Sequence, residues 1–579
     1  MDSTEHILED MSLTQLAETL LAKVQRQARF LSISSITQLI TTVESSTEIL
    51  RNSMSLINRL PPDVLSIVFH LVPDTPGVLE HEVWQGWNDP AWSPRYVKPG
   101  PYVKLTHVCR LWRDLALSLP TIWANIVDSS SVNVPIDVLV RRSRTAPLNI
   151  YLKDFPGEQV RKVLSSPHNN RIRSIWWEAE FDESTGELVA SLSAPRVESV
   201  TLISPEGTHQ FTPSESIQLF NGHMPCIRQL CLSNMWWLPT NSMSSLTQLH
   251  IGGFMCTGFF SEVLSVLDRT PNLVDLILTN VVNACDYCEP PVIPLRKLRR
   301  ITLSNSDEYI ENLPNILSYL SVADTTALRT NIFSCFEPGA FDLPAVQTIT
   351  KVCIKRFQYS YELMATGELS GTCIDTDYDD FDELAKYIIQ ALPLARVREL
   401  WVIERFETAP SGEGQKGEYD EESEEYTEYH ECDKTNVASL LPQMPMLEEL
   451  VVLGERLPAI INALLEPNEP SQTPLSRRGL TVRIIMQDSN VDIAAITSLV
   501  VRLKEVGVKC LVVGYHRFYT GPQFDSAYLA NEFQSVEFAY HETFPRMDLP
   551  PVCTTSTHLH WPSWLESWSD LDAPCGPSP

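Results

Sequence analysis

Glycine is scarce in this chain, with 22 among 579 residues. Backbone cradles for phosphate groups concentrate glycine in one turn, and no G-x-x-x-x-G-K-[ST] string is present. The nucleophile-elbow string G-x-S-x-G and the zinc-protease string H-E-x-x-H are missing as well. Basic residues are few: 44 Lys and Arg stand against 73 Asp and Glu, for a net charge of −29. Phosphate recognition needs clustered cations, so the balance argues against nucleic acid and against an anionic membrane surface. No stretch approaches the ~20 apolar residues that cross a bilayer. The first thirty residues place Glu5, Glu9, Asp10 and Glu18 where a secretory leader needs a basic start and an apolar run. The expectation is a cytoplasmic or nuclear protein. Its thirteen scattered cysteines then read as small buried hydrophobes, not as disulfides.

What is present is a folding composition, 43% hydrophobic with 13 Trp, on a chain too long for one core. In residues 1–57, Leu13, Leu16, Leu20, Val24, Phe30 and Leu31 recur at spacings near three and four. One or two amphipathic helices are expected, with a break at Ser32 to Ser35, their apolar stripe packing on the next module in preference to pairing with a second chain, since fewer than four clean heptads are present. The next helix opens at Leu60-Pro61-Pro62-Asp63, with prolines at the first turn and an acid near the positive end of the dipole. Val64, Ile67, Val68 and Leu71 share one apolar face, and Pro73 and Gly77 end the helix. A further helix is expected over Tyr102 to Leu119, carrying Leu105, Val108, Trp112 and Leu115, and Pro120 stops it before Ile122 and Trp123.

Two strings in this region, Leu60-Pro61-Pro62-Asp63-Val64-Leu65-Ser66-Ile67-Val68-Phe69 and Leu105-Thr106-His107-Val108-Cys109-Arg110-Leu111-Trp112-Arg113-Asp114-Leu115-Ala116, with Ile122-Trp123 after them, resemble the F-box-like domain. The likeness extends to the large fungal set of such proteins. It covers about seventy residues, expected at 58–127. The chain departs from the pattern in an insertion over residues 73–102, with Trp84, Trp87 and Trp92, where the family has a short connection. The resemblance implies an all-helical module that binds a Skp-type adaptor and, through it, a cullin scaffold. The residues it assigns to adaptor binding are Leu60, Pro61, Val64, Leu65, Val68 and Phe69, with Leu105, Val108, Trp112 and Trp123.

Beyond residue 128 a cassette recurs, apolar-x-x-apolar-x-apolar. It stands at Val197/Val200/Leu202, Ile227/Leu230/Leu232, Leu246/Leu249/Ile251, Leu273/Leu276/Leu278 and Leu298/Ile301/Leu303. It returns at Val397/Leu400/Val402, Leu447/Leu450/Val452 and Val508/Leu511/Val513. Pro195, Pro225, Pro271 and Pro445 each stand two residues ahead of a cassette. The first five start 30, 19, 27 and 25 residues apart, around the period of leucine-rich repeats. The later intervals of 99, 50 and 61 suggest multiples of that period, through degenerate repeats or insertions. Each cassette is a short strand burying alternate residues, and stacked neighbours complete a core that one strand cannot. With helical stretches between, the expected fold class is α/β: an N-terminal all-helical F-box-like module followed by a curved leucine-rich-repeat-like α/β solenoid over residues 128–522. The ladder asparagine of strict repeats is mostly missing. Arg141 to Leu152 resembles the helix-then-strand unit that opens the solenoid in the fungal family.

Catalytic signals are weak, and an enzyme is not expected. Cys285-Asp286-Tyr287-Cys288 lacks the second ligand pair that zinc requires, and His430-Glu431-Cys432 lies in an acidic run. No metal, cofactor or catalytic residue is expected. Residues 404–433 hold twelve acidic residues against Arg405 and Lys416, and read as a solvated loop. The tail over 523–579 carries Trp561, Trp564 and Trp568 among prolines, expected to cap the open end of the solenoid. The function implied is the substrate-recognition subunit of a Skp–cullin–F-box ubiquitin ligase, with a protein substrate on the repeat region. The alternative is a repeat scaffold without ligase coupling.

Overall fold

The computed structural model describes residues 13–27, 32–72, 90–92, 100–128, 134–153, 155–165, 167–205, 217–253, 255–257, 259–284, 291–305, 313–331, 343–357, 360–376, 381–404, 437–454, 457–465, 479–487 and 493–572. The acidic run, Cys285 to Cys288, His430 to Cys432, Pro73, Gly77, Trp84 and Trp87 lie outside the described residues. The chain forms two compact units. One comprises Met1–Glu80 and Tyr96–Leu148, the other His81–Arg95 and Asn149–Pro579. Part of the insertion therefore belongs to the second unit, and the boundary falls at 148/149.

The first unit is mainly helical. Two helices, Leu13–Gln27 and Ile33–Met54, occupy the N-terminal segment. The expected break is an N-cap, since the Ser32 hydroxyl accepts the Ser35 N–H at 3.2 Å. Helix Pro62–Leu71 starts as its prolines dictate, with Asp63 in the first turn. The expected helix over Tyr102–Leu119 is two helices, Gly100–Leu105 and Arg110–Ser118, with Cys109 extended between them at φ −157°, ψ 172°. Side chains take over the hydrogen bonds there. The Thr106 hydroxyl donates to Val103 O at 2.7 Å, and Arg113 Nε donates to Thr106 O at 2.8 Å.

The second unit is mixed α/β; most of its strands belong to a large, mostly parallel 17-stranded sheet, and Met255–Thr257 with Val282–Ala284 and Ile293–Leu295 with Leu320–Val322 form two small parallel sheets of their own. Strands Ile172–Glu178, Ser199–Ile203, Gln229–Ser233, Gln248–Gly252, Asp275–Thr279, Arg300–Ser304 and Ala327–Thr330 pair in sequence order, all parallel. The cassettes align in register: Val200, Leu230, Leu249, Leu276 and Ile301 face one another across five strands. All three apolar positions of all eight cassettes are buried. The prolines have a geometric reason. In each proline-bearing cassette the first apolar N–H returns to the carbonyl three residues back: Val197 to Ala194, Ile227 to Met224, Leu273 to Thr270 and Leu447 to Met444. Proline thus occupies the second position of a β-turn, where its fixed φ fits.

A polar ladder closes the strand ends one residue earlier than the strict repeat places it. Asn234 Nδ2 donates to Ser204 O at 3.0 Å, while Asn305 and Asn331 exchange two bonds at 2.9 Å. Asn234 and Asn280 accept positive φ there, 54° and 50°, as asparagine tolerates.

The regular order breaks once. Strands Lys351–Phe357, Ser360–Thr366 and Gly371–Thr376 form an antiparallel meander inserted into the parallel sheet. Its last strand pairs with Ala327–Thr330 and its first with Glu399–Glu404, so the chain re-enters the sheet backwards before the parallel order resumes. Among the described residues, the 99-residue interval therefore contains two parallel-paired strands, Leu320–Val322 and Ala327–Thr330, and the meander. Between the two cassette strands of the 61-residue interval the described residues hold one strand, Thr481–Met486, paired on both sides.

Candidate interaction surfaces

Helix Pro62–Leu71 has two apolar faces. Leu65 and Phe69, at i and i+4, are buried inside the module. The Phe69 ring lies 5.0 Å from that of Trp112, whose indole N–H donates to Asn58 Oδ1 at 2.6 Å. Trp123 is also buried; its N–H donates to Ala116 O at 2.8 Å and the Arg142 guanidinium lies 4.5 Å above its ring. The outward face carries Leu60, Val64, Ile67 and Leu71, with Ile67 62% exposed. Pro61 is exposed beside it, and Val108 and Leu111 add two more exposed aliphatics.

The ten residues assigned from the resemblance thus separate into two groups. Leu65, Phe69, Leu105 and Trp123 are core, and Val68 and Trp112 are half-buried. Leu60, Pro61, Val64 and Val108 are exposed and free to meet a partner. Ile67, Leu71 and Leu111 extend that outward set, and Ile67 and Leu71 were legible beside Val64, since 64, 67 and 71 keep one helical face.

In the second unit the dominant feature is the tail. Trp561, Trp564 and Trp568 do not sit on an end strand. They are fully buried, with Phe544, Met547, Leu549, Cys553 and Leu571, against the sheet face that carries Ala327, Cys353, Met364, Cys373, Trp401, Ile403, Val451, Leu453 and Ile485. The cap expected at the end of the array is instead a cover across its middle strands, because those strands are apolar on both faces. Polar contacts fix the cover: Gln487 Nε2 donates to Leu571 O at 2.8 Å, and Lys355 Nζ to Ser567 Oγ at 2.6 Å.

Under the cover lies a charged cluster. Lys355, 1% exposed, pairs with Glu362 at 2.9 Å from the neighbouring antiparallel strand, and its ammonium sits 4.4 Å over the Trp568 ring. Arg329 donates to Asp375 Oδ2 at 3.0 and 2.7 Å. Ligand atoms of Glu362, Cys373 and Asp375 lie within 4.8 Å of one another, which prompts a metal reading. The chemistry does not fit one. Each carboxylate already has a cation, and burial, with Asp375 and Glu362 nearby, pushes the Cys373 thiol well above its ordinary range.

A second polar cluster ties the insertion to the tail within this unit. His250, fully buried on strand Gln248–Gly252, accepts the Ala91 N–H on Nδ1 at 3.1 Å, and its Nε2 is 3.0 Å from Thr279 Oγ1. The ring of Trp92 is 5.5 Å from that of His558, and the ring of His560 is 5.0 Å from that of His250. His558 is 9% exposed, and neither of its ring nitrogens has a hydrogen-bond partner among the described residues. Burial, together with His560, Arg300 and Arg329, pulls its pKa down to about 4, against the opposing pull of Asp275. Burial and the two neighbouring imidazoles pull His250 well below its usual value. Both rings are therefore neutral when folded. A folded pKa below the unfolded value near 6.5 gives stability that is complete above about pH 6.5 and lost as pH falls toward 4. For His558 that loss is on the order of 3 kcal/mol. Melting temperatures at pH 7.5 and 4.5 should fall further apart for the wild type than for His558→Gln. Equal differences would remove His558 from the account.

Comparison with models of known protein families and with curated proteins gives no match. The one glycine string of dinucleotide-binding spacing, Gly412, Gly414 and Gly417, lies in the acidic run, where neighbouring carboxylates would repel a pyrophosphate.

Proposed function

We propose that the chain is a substrate-recognition adaptor of a Skp–cullin–F-box type ubiquitin ligase, non-catalytic itself. Its helical module engages a Skp-type adaptor, and its second unit, read as a leucine-rich-repeat-like solenoid, holds a protein substrate. The observation that carries the reading is the outward row Val64, Ile67 and Leu71 on helix Pro62–Leu71, with Leu60 exposed just before it and Val108 and Leu111 exposed elsewhere on the module, whose own core is closed by Leu65, Phe69 and Trp123. A protein that exposes contiguous aliphatics beside a packed core has a surface built for a partner. The in-register cassettes support the second half, because stacked strand–turn units offer an extended face for a polypeptide. The tail narrows where that substrate sits: the face of the middle strands is occupied, so recognition falls to surfaces the tail leaves open.

Covering an exposed aliphatic contributes roughly 1.5–3 kcal/mol. The variant Leu60→Ala/Val64→Ala should therefore weaken capture of a Skp-type adaptor by at least tenfold in a pull-down. Its melting temperature should stay near that of the wild type, because neither side chain is in the core. Unchanged capture would overturn the ligase reading and favour the scaffold without ligase coupling.

A further inference from the structure

Helix Ile33–Met54 is 22 residues long, about 33 Å, and none of its residues is buried. Its composition does not support it alone. Fourteen of the 22 are Ile, Val, Thr or Ser, residues that lose rotamer freedom in a helix or compete for its backbone hydrogen bonds. Helices in water draw most of their stability from a covered apolar face, so this one requires a cover.

The sequence describes what the cover is. Ile33, Ile36, Ile40, Val43, Thr47, Leu50 and Met54 alternate in steps of three and four through three heptads. These are the steps of a coiled-coil seam, with Leu39, half-buried, flanking it and Ile49, 54% exposed, outside it. Ile33 is 86% and Met54 72% exposed, and Ile40, Val43 and Leu50 are exposed between them. The single polar seam residue is satisfied internally: Thr47 Oγ1 donates to Val43 O at 2.8 Å.

We propose that this helix pairs with the same helix of a second copy of the chain, parallel and in register. Three features of the helix select that occupant. Parallel pairing sets Thr47 opposite Thr47, so the polar layer meets itself, whereas antiparallel pairing of the seam would set it against Ile36. Only Glu44, Glu48 and Arg51 are charged. In the parallel register the flanking Glu44 faces Leu39 of the other copy and Arg51 faces Ser46, so no like charges meet. Finally, the exposed apolar seam residues of the two copies lie along one continuous line, which is the area an association must cover.

The proposal is independent of the ligase reading, and its test uses no ligase component. Sedimentation equilibrium of the full chain at micromolar concentration should return twice the 65.4 kDa monomer mass. The triple variant Ile40→Ala/Val43→Ala/Leu50→Ala raises helix propensity while removing the seam. It should weaken self-association at least 100-fold and leave the melting of the second unit unchanged. The outer-face control Thr41→Ala/Ser45→Ala should assemble as the wild type does. Ile33→Cys should form a covalent dimer on mild oxidation that the wild type does not form, as parallel register requires. A monomeric wild type at about 50 µM would overturn the proposal, as would assembly retained in the triple variant. If the Ile33→Cys variant assembles yet gives no covalent dimer, the parallel register is overturned.

Discussion

Trp564→Ala combined with Trp568→Ala is expected to unfold the second unit near physiological temperature. Each indole is fully buried, and large-to-small changes at buried tryptophans cost roughly 3–5 kcal/mol each. The two lie four residues apart in the chain and pack in one buried cluster, so their effects are not fully additive. A combined loss of roughly 5–10 kcal/mol would still consume most of the 5–15 kcal/mol that a folded protein holds in reserve. Near-ultraviolet circular dichroism and limited proteolysis would follow it. The expected outcome is loss of aromatic signal and rapid cleavage beyond residue 149. A double variant melting within a few degrees of the wild type would mean that the tail is peripheral, and the sheet face would then be open to a substrate.

That result bears on function because the tail occupies a face that a repeat protein can otherwise offer to partners. Three indoles and a buried ammonium make the cover part of the fold, too costly to displace by a peptide binding at ordinary affinity. Micromolar binding supplies only about 8 kcal/mol.

The cassettes were legible because strand physics writes them plainly. Alternate burial requires period two, the turn into each strand admits proline at one position, and in-register stacking forces both to recur. The cover was not read, yet its signature stands in the same strands. Leu400-Trp401-Val402-Ile403, Leu450-Val451-Val452-Leu453 and Ile484-Ile485-Met486 are continuous apolar runs, the mark of a strand buried on both faces. By contrast Ser199-Val200-Thr201-Leu202 alternates. The tail itself gave no periodic signal, since tryptophans spaced by proline and serine pack as individual knobs. The meander was missed because Lys351–Phe357 carries no turn proline and places a lysine mid-strand, which reads as an exposed position. In the helical module the prolines fixed the start of Pro62–Leu71. Which of its two apolar faces turned outward depended on Trp112 and Trp123, distant in sequence.

Lys355→Met is the second change with a large expected effect, and its size depends on what is left behind. Methionine keeps much of the stem volume, so packing against Trp568 is largely preserved. Glu362 then remains buried with its cation removed. Cys373 lies 3.8 Å from its other oxygen, but a thiol is a weak donor. Removing one member of a buried pair costs about 3–5 kcal/mol, chiefly from the stranded charge. Removing both is different, because replacing a buried ion pair by apolar groups is often neutral or stabilising. Lys355 and Glu362 are direct cross-strand partners in register, so Lys355→Met/Glu362→Met fills the same space with two apolar side chains. The double variant should therefore recover most of the stability lost by Lys355→Met. Ser567 keeps only a minor deficit, since its hydroxyl also reaches Trp564 O at 3.4 Å. Urea unfolding of the wild type, the two single variants and the double variant gives the coupling directly. A double variant no more stable than Lys355→Met would show that the lysine acts through its contact with the Trp568 ring and not through charge balance.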